Sequence, residues 1–196
     1  MEKRKKFLKA FINIRVMHSA GGFWHLSLVQ FLFYLNNQDS NMQSYSIRNG
    51  TIDDLPFLED MLYEAVFWNP EIERRPRKEI FADWGNRNGD FSLIAVDSNN
   101  KKVGAIWYRF WNEQNKSYGF IDADTPEIGL YVIKEMRGRG IGTTLISQAI
   151  EHTKSNGIKR LSLSVEENNP AKNLYSKLGF KKTAVVENSW TMVLEL

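Results

Sequence analysis

Leu130-Tyr131-Val132-Ile133-Lys134-Glu135-Met136-Arg137-Gly138-Arg139-Gly140-Ile141-Gly142 is an apolar run, a turn with glycine at every second position, and the opening of a helical pattern that continues to about Asn156. That order suits an anion. Glycines let backbone N–H groups converge, the start of a helix carries about half a positive charge, and Arg137 and Arg139 add whole ones. A pyrophosphate cradle is one reading, and a tight turn whose glycines only permit close packing is the other. A P-loop fits less well, because Gly142 is followed by Thr143-Thr144 with no lysine. The alternation Gly138-x-Gly140-x-Gly142 also lacks the spacing of a dinucleotide-binding fingerprint.

Working outward, Leu161, Leu163 and Val165 alternate with Ser162 and Ser164, which predicts a half-buried strand. A helix is expected from Pro170 to Leu178, with Asn169 at its cap, Pro170 at its first position and Gly179 ending it. Lys182–Glu187 and Trp190–Leu194 predict a closing hairpin. Upstream, Tyr45–Arg48 reads as a strand. It leads through Asn49-Gly50 to a helix capped by Thr51 or Asp53, with Leu55, Leu58, Met61, Leu62, Ala65 and Val66 on its apolar face. A shorter helix is expected at Arg77–Trp84. Phe91–Val96 and Val103–Trp111 predict an antiparallel pair around Asp97-Ser98-Asn99-Asn100, followed by a polar loop and a strand from about Glu127 to Ile133. There are no repeats, and residues 42–196 read as one mixed α/β (α+β) domain.

Two segments together resemble the GNAT superfamily of acyl-CoA-dependent N-acyltransferases. Arg137-Gly138-Arg139-Gly140-Ile141-Gly142 matches each specified position of its Arg/Gln-x-x-Gly-x-Gly/Ala loop. Asn169-Pro170-Ala171-Lys172-Asn173-Leu174-Tyr175-Ser176-Lys177-Leu178-Gly179-Phe180 is similar to its downstream Asn-x-x-Ala-x-x-Leu-Tyr-x-Lys-Leu-Gly-Phe segment, with one residue fewer between Asn169 and Ala171. The resemblance implies a mixed, mostly antiparallel central sheet flanked by helices, and transfer of acetyl from acetyl-CoA to a primary amine. It implies that the loop holds the pyrophosphate. It also implies that Leu130, Tyr131 and Val132, on a strand splayed from its neighbour, bind pantetheine and the thioester carbonyl, and that Asn168 or Asn169 contacts the donor. Tyr175 falls where the family often places its general acid, and Glu127 where many members carry a glutamate that deprotonates the amine. Asp122 and Asp124 are rival bases. The same fold can also serve as a non-catalytic acyl-CoA sensor. Many members form homodimers, and no element of this sequence specifies one.

The acceptor is set by variable parts, and here these are aromatic: Phe67, Trp68, Trp84, Trp107, Tyr108, Phe110, Trp111 and Trp190. Two or three of them are expected to touch substrate and the rest to fill the core. Glu71, Glu73, Asp83 and Asp90 would draw a cation, whereas Arg74-Arg75-Pro76-Arg77-Lys78 would draw an anion.

Composition excludes other chemistries. Of 196 residues none is cysteine and three are histidine, which rules out thiol nucleophiles and iron–sulfur centres, argues against a metal site, and fits the cytoplasm. The net charge of +3 arises at one end: residues 1–41 hold six basic and two acidic side chains, leaving twenty and twenty-one for the rest. A domain so close to neutrality lacks the field for nucleic acid. Residues 1–41 differ in character from the domain, with a basic cluster and then the aromatic run Phe23–Leu35. The polar residues His25, Ser27 and Gln30 interrupt that run, which is too short for a bilayer that takes about 20 apolar residues. A start at Met42 is expected, against a targeting or membrane-surface role for the extension.

Overall fold

In the computed structural model, which describes residues 45–76 and 89–196, the chain runs β1 (Tyr45–Asn49), α1 (Leu55–Val66), β2 (Phe91–Asp97), β3 (Lys102–Arg109), β4 (Glu127–Val132), α2 (Ile141–Ser155), β5 (Arg160–Glu166), α3 (Lys172–Lys177), β6 (Lys181–Val186) and β7 (Ser189–Glu195). The seven strands form one sheet in the order β1-β2-β3-β4-β5-β7-β6. Every neighbouring pair is antiparallel except β4 and β5. The extension 1–41, the start at Met42 and the helix expected at Arg77–Trp84, with Asp83 and Trp84, lie outside the described residues.

Strand pleating divides the core between the two faces. Leu93 and Ala95 of β2, with Ile106 and Tyr108 of β3, join Ile141, Leu145, Ile146 and Ala149 of α2 on one face. Ile94, Val96, Ala105, Trp107 and Tyr131 join Leu58 and Met61 of α1 on the other. Trp107 and Tyr108 are therefore core, as is Phe67. The β2–β3 turn forms as expected: Asp97 Oδ1 accepts from the N–H groups of Asn99 and Lys101, both at 2.9 Å, and Asn100 takes φ +61°.

Thr51 caps the single 3-10 turn that leads into α1, and the carboxylate serving this cap belongs to Asp54, which the sequence did not single out. Asp54 is buried. It accepts from the Thr51 N–H at 2.9 Å and binds Arg48 at 2.6 Å and Lys102 at 2.6 Å, tying β1, β3 and the start of α1 to one point. These cations, Arg48 foremost, hold its carboxyl far below the usual carboxylate range. Because the folded-state value is depressed, the stabilisation is present above the unfolded value and is lost as pH falls through the acid range. Asp54→Asn leaves the site without its charge partner and is expected to lower unfolding free energy by about 3 kcal/mol at neutral pH, read by urea denaturation.

Candidate active site

Two strands that share a single register pair open the site. Glu127 at the start of β4 pairs with Ser162 of β5, the Ser162 N–H reaches Pro126 O at 3.0 Å, and no register follows. From there the strands part. On the other side β4 stays paired with β3 along its whole length, from Arg109↔Glu127 to Gly104↔Val132. Pro126 O faces β5, whereas the Ile133 N–H donates to Val103 O at 3.0 Å on the β3 side. By that alternation the N–H and C=O of Leu130 turn toward the opened gap. Tyr131 differs. Its peptide groups face β3 and its ring is buried against α1. The Val132 carbonyl accepts from Arg137 Nε at 2.9 Å, and the Arg137 guanidinium lies 5.0 Å from the centre of the Tyr131 ring.

At the end of the gap is the glycine turn. Gly138 and Gly140 have φ of +74° and +82°, a region that side chains with a Cβ avoid, and Gly140 is the cap residue of α2. The N–H groups of Ile141, Gly142 and Thr143 have no acceptor among the described residues, as expected of a helix's first turn. A Cβ at Gly138 would meet nothing within 4 Å, so the turn lies open to a ligand. Arg137 and Arg139 are exposed beside it. Tyr45 Oη and Thr144 Oγ1, 2.9 Å apart, fasten the start of α2 to β1.

The far bank of the gap is β5 and α3. A Cβ placed on Gly142 would lie 3.4 Å from Leu174 of α3 and 3.6 Å from Leu130, so β4, α2 and α3 converge at that point. Tyr175, the next residue of α3, is buried and meets Phe180 edge-on at 5.9 Å. Its hydroxyl has no hydrogen-bond partner among the described residues, and burial pushes its pKa up to about 12. Asn169 Oδ1 accepts from the Ala171 N–H at 2.9 Å, so Asn169 does cap, although regular helix begins only at Lys172 after a 3-10-like first turn. Asn168 is exposed beside it.

Glu127 stands where the strands part. Its carboxyl accepts from the Gly119 N–H, Oε2 is sealed from solvent without a partner among the described residues, and burial raises its pKa to about 8 against the weaker opposing pull of that N–H. Gly119 is what lets the loop come so close: a Cβ there would sit 2.5 Å from Glu127 Oε1. The rival Asp122 is differently placed. It accepts from Thr125 Oγ1 at 2.7 Å and from Arg160 at 2.5 Å, and these partners lower its pKa, which suits a structural anchor better than a base. Asp124 is exposed. His152 is on α2, stacked at 3.6 Å on Phe91.

Gly119 and the burial of Ser162 carry no sequence signal. Ser162 is fully buried rather than solvent-facing because the loop before β4 covers that face of β5 and β7, with Thr191 Oγ1 donating to Tyr118 O at 3.0 Å. Among the candidate acceptor residues, Asp90 is bound to Arg109 at 3.0 Å and Arg74 to Glu64 at 2.9 Å, whereas Glu71 and Glu73 are exposed. No helix among the described residues is long and apolar enough to cross a membrane, and no group of three potential metal-ligating side chains occurs among them.

Residues 57–180 match the family model described as acetyltransferase (GNAT) family. An uncharacterised N-acetyltransferase of Methanocaldococcus jannaschii is 30% identical over 156 residues, covering 78% of this chain and 67% of its own. A Bacillus subtilis protein provisionally named a ribosomal protein bS18-alanine N-acetyltransferase is 38% identical over 151 residues, 74% of this chain and 87% of that one. A phosphinothricin acetyltransferase of Sinorhizobium meliloti, solved with acetyl-CoA, superposes with a TM-score of 0.61 over 79% of this chain and 89% of its own, at 18% identity.

Proposed function

The chain belongs to the acetyltransferase (GNAT) family, and from that premise we propose that it transfers acetyl from acetyl-CoA to a primary amine of a small molecule or peptide. The observation that carries this reading is the parting of β4 from β5 directly after a sealed glutamate, ending at three helix-opening N–H groups without acceptors among the described residues. The residues present fit the donor. Leu130 offers free peptide groups for an amide-rich arm, and the turn Arg137–Gly142 offers N–H groups and two cations for a pyrophosphate. Asn168 and Asn169 stand on the opposite bank. Bound there, acetyl-CoA supplies an activated acyl carbon and a thiolate leaving group.

The chain's own groups handle protons. Glu127, ionised above about pH 8, takes a proton from the acceptor's ammonium through its carboxylate, freeing the nitrogen lone pair. The Tyr175 hydroxyl stays protonated at every working pH and gives its proton to the departing sulfur. Leu130 and the helix start fix the donor, and the loop before β4, with Gly119 against the carboxyl, shields Glu127 from bulk solvent. A mere acyl-CoA sensor has no use for a buried carboxyl that sheds its proton near neutrality.

For the acceptor, we take as guide the Bacillus subtilis relative, which is named for acetylating an alanine of ribosomal protein bS18, and propose the amine of an alanine-first peptide. Thiol release with acetyl-CoA should be fastest on alanine-first peptides within a panel that includes amino acids, polyamines and aminoglycosides. Turnover confined to a small molecule would remove the peptide reading, and no turnover on any amine would remove the enzyme.

A further inference from the structure

Three sealed polar atoms belong to β4's first residue and its surroundings, and none has a partner among the described residues: Glu127 Oε2, Ser162 Oγ and Ser117 Oγ. Buried hydroxyls and carboxyls are nearly always bonded, so such atoms point to something that bonds them. Ser162 is the register partner of Glu127 across the sole β4–β5 pair. Both side chains leave the same face, because their neighbours Ile128, Leu161 and Leu163 join the α2-side core. Paired strands run about 4.8 Å apart, so a short hydroxyl and a carboxyl on paired positions are separated by a gap that one water spans. Ser117 is in the same turn as Gly119, the residue packed on the carboxyl: the Phe120 N–H closes that turn on Ser117 O at 3.2 Å.

We propose that Ser162 and Ser117 hold one buried water against Glu127 Oε2, which makes the two serines positioning residues for the carboxylate. The water donates to Oε2 and stabilises the ionised form, while the hydroxyls bind its remaining valences. Its three partners are the usual number for a buried water.

Other groups near Glu127 are already committed. From β3, its register partner Arg109 is bound to Asp90 and lies over the Trp111 ring. From the covering loop, Asp122 is held by Arg160, and the Tyr118 hydroxyl donates to Glu187 at 3.4 Å. From β7, Thr191 donates to the Tyr118 carbonyl. On β5, Ser164 and Glu166 follow Ser162 on the same face. Burial and the Gly119 N–H are the influences that act on the carboxyl, and no ionic neighbour is among them.

The proposal rests on Glu127 being the base, so its test does not rely on turnover alone. In a carboxyl-carbon NMR titration, with Glu127→Gln identifying the resonance, Ser162→Ala is expected to move the Glu127 midpoint upward by about one pH unit. Ser117→Ala is expected to move it the same way. The double variant should add little beyond the larger single shift, because both serines hold the same water. In activity, the rising limb of the pH profile moves by the same amount, so the rate at pH 7 falls about tenfold while acetyl-CoA affinity stays constant. A folded Ser162→Ala protein whose Glu127 midpoint is unmoved overturns the proposal. A shift in that midpoint together with a fully active Glu127→Gln variant keeps the water and overturns the catalytic reading instead.

Discussion

Glu127→Gln is expected to lower kcat by about 10²- to 10³-fold while acetyl-CoA affinity is kept, the loss typical of a removed general base. In the wild type, kcat rises with pH to a plateau, with a midpoint near the carboxyl's pKa of about 8. The variant should lose this limb. Stability should move the other way. The folded-state pKa stands above the ordinary 4.5, so ionising Glu127 costs stability as pH rises from there, and the full cost is reached above about 8. Glutamine never ionises and should unfold at higher denaturant at pH 9, by about 2 kcal/mol. Loss of activity with a gain in stability separates a base from a scaffold residue. A variant that turns over normally and is less stable returns Glu127 to a structural role.

Tyr175→Phe is the second large effect, with kcat expected to fall about 10²-fold. The ring's edge-on contact with Phe180 survives the substitution, so folding and donor affinity should hold while the proton source for the sulfur is lost. Because the phenol is pushed up to about 12, the wild-type profile should show no falling limb below pH 10. An unchanged rate in the phenylalanine variant would leave Tyr175 as packing for α3.

Local chemistry was readable where the cause was local. The glycines at 138 and 140 announce positive φ, and they have it. Asn169 before Pro170 announces a cap, and its side chain makes one. Period-2 and helical spacing placed the strands and helices that build the sheet, its order excepted. What escaped depends on contacts far apart in sequence. Ser162 looked like the wet side of a strand because nothing near it shows that residues 117–126, some forty positions earlier, lie over it. The same loop seals Glu127 and brings Gly119 onto its carboxyl, so the raised pKa belongs to the tertiary fold and to no motif. Asp54 carries no signal of its role in the local sequence, since only the sheet brings Lys102 to it.

The account depends first on β4, the glycine turn and the start of α2 being an acyl-CoA cradle. Calorimetric titration of the folded protein with acetyl-CoA tests that most directly. Saturable binding at one site is predicted, weakened about tenfold or more by Arg139→Glu, which reverses a charge beside the helix start. Absence of saturable binding by the wild-type chain would contradict it, leaving Arg137–Gly142 a turn that only packs.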